Sequence, residues 1–164
     1  MPLQIDDRYA REFCAIQELM TRYFQAVDRG DVVQVRSCLA DDARVALPER
    51  DAIAGGDAVV DAIFRPAFAY LKEDTARCRT HFMGNFRIER LEGDLAETET
   101  YVIAVRVMGE AAGDIADVMS LRYLDRLRRA GGQWRIGERR MTRDWSCRLP
   151  TTFAMPFARR VAAI

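Results

Sequence analysis

The stretch DRYAREFCAIQELMTRYFQAVDRGD, residues 7–31, repeats apolar side chains at helical spacing. Tyr9, Phe13, Ile16, Met20, Phe24 and Val27 recur three and four residues apart, which predicts one long amphipathic helix from Asp7 to Arg29. Asp6 or Asp7 can cap its start, and Gly30 can end it. Asp31 then opens a second, shorter helix, with Gln34 as capping-box partner and Val32, Val35, Cys38 and Leu39 as its buried side. A break is expected at 40–42, followed by a short strand from Arg44 to Leu47. A third helix should start at Gly55-Gly56-Asp57 and run towards Leu71, with Pro66 kinking it near Arg65.

Beyond these helices the period changes from about 3.6 to 2. Arg79 to Arg90 alternates, with Phe82, Phe86 and Ile88 expected on one side. Glu92-Gly93-Asp94 reads as a turn. Leu95 to Met108 alternates through Tyr101, Ile103, Val105 and Val107. After a loop at 109–113, strands are expected at 115–128 and 133–143, joined by Ala130-Gly131-Gly132. Three helices followed by an antiparallel meander is an α+β arrangement, with the helices covering one face of a curved sheet. Residues 149–164 carry two prolines and little pattern, and read as an arm over a pocket or onto a partner subunit.

The chain has 164 residues, enough for one core and too few for two. At 49% hydrophobic residues, a packed interior is expected and general disorder is excluded. Lys plus Arg equals Asp plus Glu at 25 each, so overall charge gives no reason to expect a nucleic-acid partner. The start, MPLQIDDRYAREF, lacks a basic-then-apolar leader, and no run approaches the roughly 20 apolar residues of a membrane span. A cytoplasmic location and no membrane partner are therefore expected. Cys14, Cys38, Cys78 and Cys147 are scattered, and with one histidine no zinc site is expected. Serine-hydrolase, dinucleotide and P-loop signatures are all missing.

His81 is the only histidine, so any imidazole-based catalysis must run through it. A lone histidine is more commonly structural or exposed. Asp28 alters that balance. It sits in the last turn of the first helix, where the dipole disfavours a carboxylate by about 0.3–1 kcal/mol, so a compensating donor is required. His81 can be that donor, with Asp28 fixing its tautomer and raising its basicity; a solvated acid beside Arg29 is the alternative. Tyr23, at the other edge of the apolar stripe, is either core or a phenol donor in a pocket. From strict alternation Arg139 is expected on the face of the last strand opposite Trp134 and Ile136. It is either a surface residue or a cation for an anionic intermediate or leaving group. Phe13, Met20, Phe24 and Phe82 are candidates to line the pocket.

The pattern Ile16-x-x-Leu19-x-x-x-Tyr23-x-x-x-x-Asp28, Asp31, Ala40-Asp41-Asp42-Ala43, Gly55-Gly56-Asp57-Ala58, His81-x-x-x-Asn85 and Gly132-x-Trp134-x-Ile136 resembles the SnoaL-like branch of the nuclear transport factor 2-like superfamily. The likeness spans about Asp7 to Cys147. It implies one domain over 1–164, with a core at about 7–147 and a C-terminal arm at 148–164. The implied fold is a cone: a curved antiparallel sheet wrapped round three helices, with an internal apolar pocket. Catalytic members, among them scytalone dehydratase, bile-acid 7α-dehydratase and hexachlorocyclohexane dehydrochlorinase, use an Asp–His pair to remove a carbon-bound proton. Asp28 and His81 match that pair. Tyr23 falls where the dehydratases carry a tyrosine and the dehydrochlorinase a lysine. Arg139 falls at the arginine that assists the leaving chloride. The chain departs from scytalone dehydratase in having no second histidine. Thr98, Thr100 and Tyr101 stand in the region where the bile-acid enzyme has a further aspartate.

The resemblance implies a lyase or isomerase that needs no cofactor and no metal and acts on a small hydrophobic cyclic substrate. It also implies a homodimer or higher homo-oligomer. Two other readings remain open. One is a polyketide cyclase of the same superfamily, whose carboxylate base lies elsewhere. The other is a non-catalytic binding or accessory subunit. A cavity of at least about 300 Å³ reaching His81 is expected of an enzyme.

Overall fold

The computed structural model describes residues 5–69, 76–110 and 113–150. Helix α1 spans Asp7–Arg29 and is closed by Gly30 in the left-handed conformation. The Asp6 carboxylate caps it, accepting from the Tyr9 N–H at 2.8 Å. Its buried stripe is Ile16, Leu19, Met20, Tyr23, Phe24, Ala26 and Val27. Asp31 caps α2 (Val32–Cys38) by accepting from the Gln34 N–H at 2.9 Å. The Gln34 amide donates to Ser37 Oγ instead of reaching back, so half of the expected capping box forms.

Strand β1 (Leu39–Ala46) begins directly after α2, through the residues where a break was expected. Leu39 pairs with Ile136 and Arg44 with Glu138 of the last strand, so residues 40–43 bulge opposite one residue, Gly137. Arg36 pins this bulge. It donates to Asp57 and Asp41 at 2.7 Å each and to the Leu39 carbonyl at 3.3 Å. Strand β2 (Ile53–Ala54) pairs antiparallel with β1.

The third helix is composite: α3 (Gly56–Val59), a π-helical turn over Val60–Phe64, and α4 (Arg65–Ala69). The Arg65 N–H reaches back five residues to the Val60 carbonyl. That widened turn makes room for the Pro66 ring and its missing N–H, so the expected kink is a π-bulge and the helix continues past it. Its expected end near Leu71 lies outside the described residues, as do Ala111 and Ala112 of the expected loop.

Four long strands follow: β3 (Ala76–Glu92), β4 (Leu95–Glu110), β5 (Gly113–Ala130) and β6 (Gln133–Pro150). They complete one curved, unclosed sheet in the order β2-β1-β6-β5-β4-β3. The meander is antiparallel as expected, but β1 runs parallel to β6. A parallel pair needs a long crossover, and here the whole intervening chain supplies it. Strand β6 passes its expected end at Arg143 because its last residues pair with the start of β5, down to Pro150 opposite Ile115. Residues 148–150 are therefore strand, and the rest of the expected arm lies outside the described residues. Helix α1 packs on β3 and β6. None of the described helices is long and apolar enough to cross a membrane.

The facing of β3 corrects the expected alternation. Met83 pairs with Val102 and Phe86 with Thr100, so three steps on β3 match two on β4. This bulge at Gly84-Asn85 reverses parity. Before it, His81 and Met83 face the helices; after it, Phe86 and Ile88 do. Phe82 therefore does not share a side with Phe86 and Ile88. It lies on the outer face, 67% exposed. On β4 the inner face is Ala96, Thr98, Thr100, Val102 and Ala104, while Tyr101 and Ile103 are exposed.

Gly56 is set by a close approach. A Cβ there would lie 2.7 Å from the Ala40 carbonyl oxygen and 2.9 Å from Arg36 Cζ. Gly56→Ala must push the helix start off the β1 bulge and is expected to destabilise by about 1–3 kcal/mol in chemical denaturation. Unchanged stability would show that this contact relaxes freely.

Candidate active site

Asp28 enters from the last turn of α1 and His81 from the inner face of β3. The two side chains are 7% and 10% exposed. One carboxylate oxygen lies 2.6 Å from His81 Nδ1, and the other accepts from the His81 backbone N–H at 3.1 Å. The two contacts fix both the strand and the ring against the helix end. They also supply the donors that a carboxylate at the negative end of a helix dipole requires. With Nδ1 engaged, Nε2 is the ring nitrogen left for chemistry. Phe24 stacks on the imidazole, with centroids 5.6 Å apart and planes inclined by 23°.

His81 lines a cavity of about 210 Å³ together with Tyr23, Phe64, Tyr123, Arg139 and Met141, among others. The cavity is smaller than the expected 300 Å³, because three aromatic rings and the long side chains of Met119 and Met141 occupy its walls. A larger hollow of about 520 Å³ shares none of these residues and carries charged groups of both signs, including Asp42, Arg126, Arg128 and Glu138.

At the inner end, Arg139 is almost wholly buried. It makes a two-pronged ion pair with Asp125, with Nε and Nη2 each donating at 2.7 Å. Nη2 also approaches Met20 Sδ at 3.4 Å. Nη1 is buried and has no hydrogen-bond partner among the described residues. The faces of Tyr23 and Tyr123 flank the guanidinium, with Cζ 4.2 and 4.7 Å from the ring centroids. Burial works against the Arg139 charge, but Asp125 and the two tyrosines outweigh it and hold the guanidinium firmly protonated. Burial raises the Tyr23 phenol above its ordinary value despite Arg139, so it remains a donor.

Tyr23, His81 and Arg139 thus meet at one cavity, with Asp28 behind His81. None of Phe13, Met20, Phe24 and Phe82 lines it. Phe13 packs on Phe86 further along the core, Met20 touches Arg139, Phe24 backs His81 and Phe82 faces outward. Sequence reasoning missed Tyr123 and Asp125. Their signal was parity: Leu121, Tyr123, Asp125 and Leu127 occupy one face of β5, and a carboxylate inside an apolar alternation requires a buried partner. Among the described residues no group of three or more His, Cys, Asp or Glu could hold a metal ion.

The family model of the SnoaL-like domain matches residues 8–140, most of the chain. The chain belongs to the SnoaL-like family. Solved structures share this fold. A candidate scytalone dehydratase from Novosphingobium aromaticivorans superposes with a TM-score of 0.76 at 18% identity, covering 96% of this chain and 100% of that one. A type 2 hexachlorocyclohexane dehydrochlorinase, LinA, gives 0.72 at 18% identity over 90% and 95%. A candidate aromatic ring hydroxylase from N. aromaticivorans gives 0.74 at 25% identity over 89% and 96%. No curated protein matches the sequence. In this SnoaL-like chain, Asp28 and His81 sit where helix end and strand are locked together by hydrogen bonds.

Removing one partner of a buried ion pair strands the other charge, which costs about 3–5 kcal/mol. Asp125→Ala is expected to lose that much in urea unfolding. The double variant Asp125→Leu/Arg139→Met is expected to recover most of it. Equal stability of Asp125→Ala and the native protein would show that the pair is not held in the folded core.

Proposed function

We propose that this protein is a lyase or isomerase that needs no cofactor, with His81 as the general base. The observation that carries the reading is the 2.6 Å contact between Asp28 and His81 Nδ1, with the ring lining a cavity. Nε2 takes a proton from a ring carbon of the substrate. The C–H electron pair then forms a double bond, either expelling a neighbouring leaving group or migrating. Asp28 holds the ring and stabilises the imidazolium that forms. Tyr23 and Arg139 steady the oxyanion or leaving group, with Arg139 Nη1 as the donor without a partner. Positioned general-base catalysis of this kind is worth about 10²–10⁴-fold. The neighbours named as dehydratase and dehydrochlorinase are compatible with this chemistry, but at 18% identity they carry the fold only.

The cavity volume of about 210 Å³ supports a small substrate over a steroid-sized one. The same small volume favours a second reading, a binding or accessory protein in which the Asp28–His81 bond is structural. Self-association is proposed to use the outer face. Phe82, Ile103, Ser120 and Trp145 are register partners in one row across four strands, and Phe82 and Trp145 are 67% and 50% exposed. A second copy of the chain is the proposed occupant.

Deuterium uptake from D₂O into cyclohexanone and 2-indanone, followed by NMR, separates the two readings. Wild-type protein is expected to accelerate exchange. His81→Ala should abolish that acceleration with its circular dichroism unchanged, and Asp28→Asn should lower it by about 10²-fold or more. Equal exchange by wild type and a folded His81→Ala variant would overturn the general-base reading. Ligand binding without exchange would favour the accessory one. For assembly, light scattering is expected to show an oligomer that Phe82→Arg/Trp145→Arg reduces to monomer; a wild-type monomer at 100 μM would refute it (on the order of ordinary working concentrations).

A further inference from the structure

Two phenols line the His81 cavity: Tyr23 from α1 and Tyr123 from the inner face of β5. Tyr123 is 6% exposed, and its hydroxyl has no hydrogen-bond partner among the described residues. A buried hydroxyl left unpaired is costly, so one placed on a cavity wall asks for an acceptor from the cavity. The ring itself is held from two sides. It meets Phe24 edge-on, with centroids 5.3 Å apart, and it covers one face of the Arg139 guanidinium. Phe24 also stacks on His81, so one side chain sets the base and the phenol relative to each other. Burial, then the neighbouring Tyr23, pushes the Tyr123 phenol above its ordinary value, so the oxygen keeps the proton it would donate. Arg139, by contrast, commits Nε and Nη2 to Asp125.

We propose that Tyr123 is a further catalytic residue, which with Tyr23 donates to the carbonyl oxygen of a small ketone whose neighbouring carbon faces His81. The proposal rests on the general-base reading of the same cavity and adds the functional group that the substrate carries. Nε2 of His81 removes a proton from the carbon next to the carbonyl. The C–H electron pair becomes a carbon–carbon double bond, and the carbonyl π pair moves onto oxygen. The two phenols keep their protons and hold that oxygen more strongly as it becomes negative. The enolate then takes a proton back at the same carbon, takes it at a more distant carbon of an unsaturated ketone, or expels a leaving group from the next carbon. A ring without a carbonyl would leave the Tyr123 hydroxyl unpaired, and the site would discriminate against it.

The test uses cyclohexanone as probe and Tyr123→Phe as variant, which removes the hydroxyl and keeps the ring against Phe24 and Arg139. The carbonyl stretch of bound cyclohexanone, read by infrared difference spectroscopy, is expected at or below its frequency in water. A frequency like that in hexane, in the wild-type protein, would overturn the proposal before any variant is made. In Tyr123→Phe the stretch should move towards the hexane value. The kcat for deuterium exchange from D₂O should fall by about 10²-fold, with KM changed less. A ring that acts by packing alone would move neither quantity. If either stays at its wild-type value in folded Tyr123→Phe, Tyr123 is not a catalytic donor, and the general-base reading still stands. A Tyr123-dependent stretch without exchange by wild type would leave Tyr123 as a binding donor only and overturn the catalytic reading of both residues. The ring protons of His81, the sole histidine, report occupancy of the cavity by NMR. Cyclohexanone that neither binds nor moves them would overturn the ketone site.

Discussion

The cavity that His81 lines depends on one irregularity in β3. Between Met83 and Phe86 the strand carries one residue more than its partner, and inner and outer faces exchange. Without that extra residue, a strand that buries Phe86 and Ile88 would turn His81 to solvent, because parity in a strand is strict. The bulge lets one strand serve two demands: closing the core at one end and turning His81 towards a cavity at the other. Asp28 then locks the arrangement from the helix side, holding both the backbone and the ring of His81.

The helical half was legible to the residue in places. Asp6, Gly30 and Asp31 are local signals whose physics is complete within a few residues, and each acts as its type predicts. Asp28 was legible for a similar reason, since a carboxylate at a helix C-terminus is a local mismatch that asks for a donor. The sheet was legible as a period but not as a set of faces. Phe82 looked like Phe86 because alternation alone cannot reveal an inserted residue. The parallel pairing of β1 with β6 was hidden for another reason. A strand's partner is chosen by the whole topology, and β1, with two exposed aspartates at 41 and 42, looks locally like a break.

The candidate site divides along the same line. Tyr23, Asp28, His81 and Arg139 could be singled out one at a time, by type and place. Asp125 and Tyr123 could not, because their meaning lies in Arg139 across the sheet. Once the register of β5 is known, the carboxylate at 125 among inward-facing Leu121, Tyr123 and Leu127 becomes the clearest polar anomaly in the core. The small cavity follows from the same packing. Aromatic rings that cradle the Arg139 guanidinium also take up space in the cavity.

The parallel β1–β6 pair has a consequence for how the chain reaches its native state during synthesis. Leu39 and its partner Ile136 are separated by about a hundred residues, so the first strand emerges from the ribosome long before the strand it must join. Until β6 arrives, β1 lacks its long partner and has only the two residues of β2 to pair with. Domains dominated by such distant pairings fold slowly and expose sticky surface while they do so.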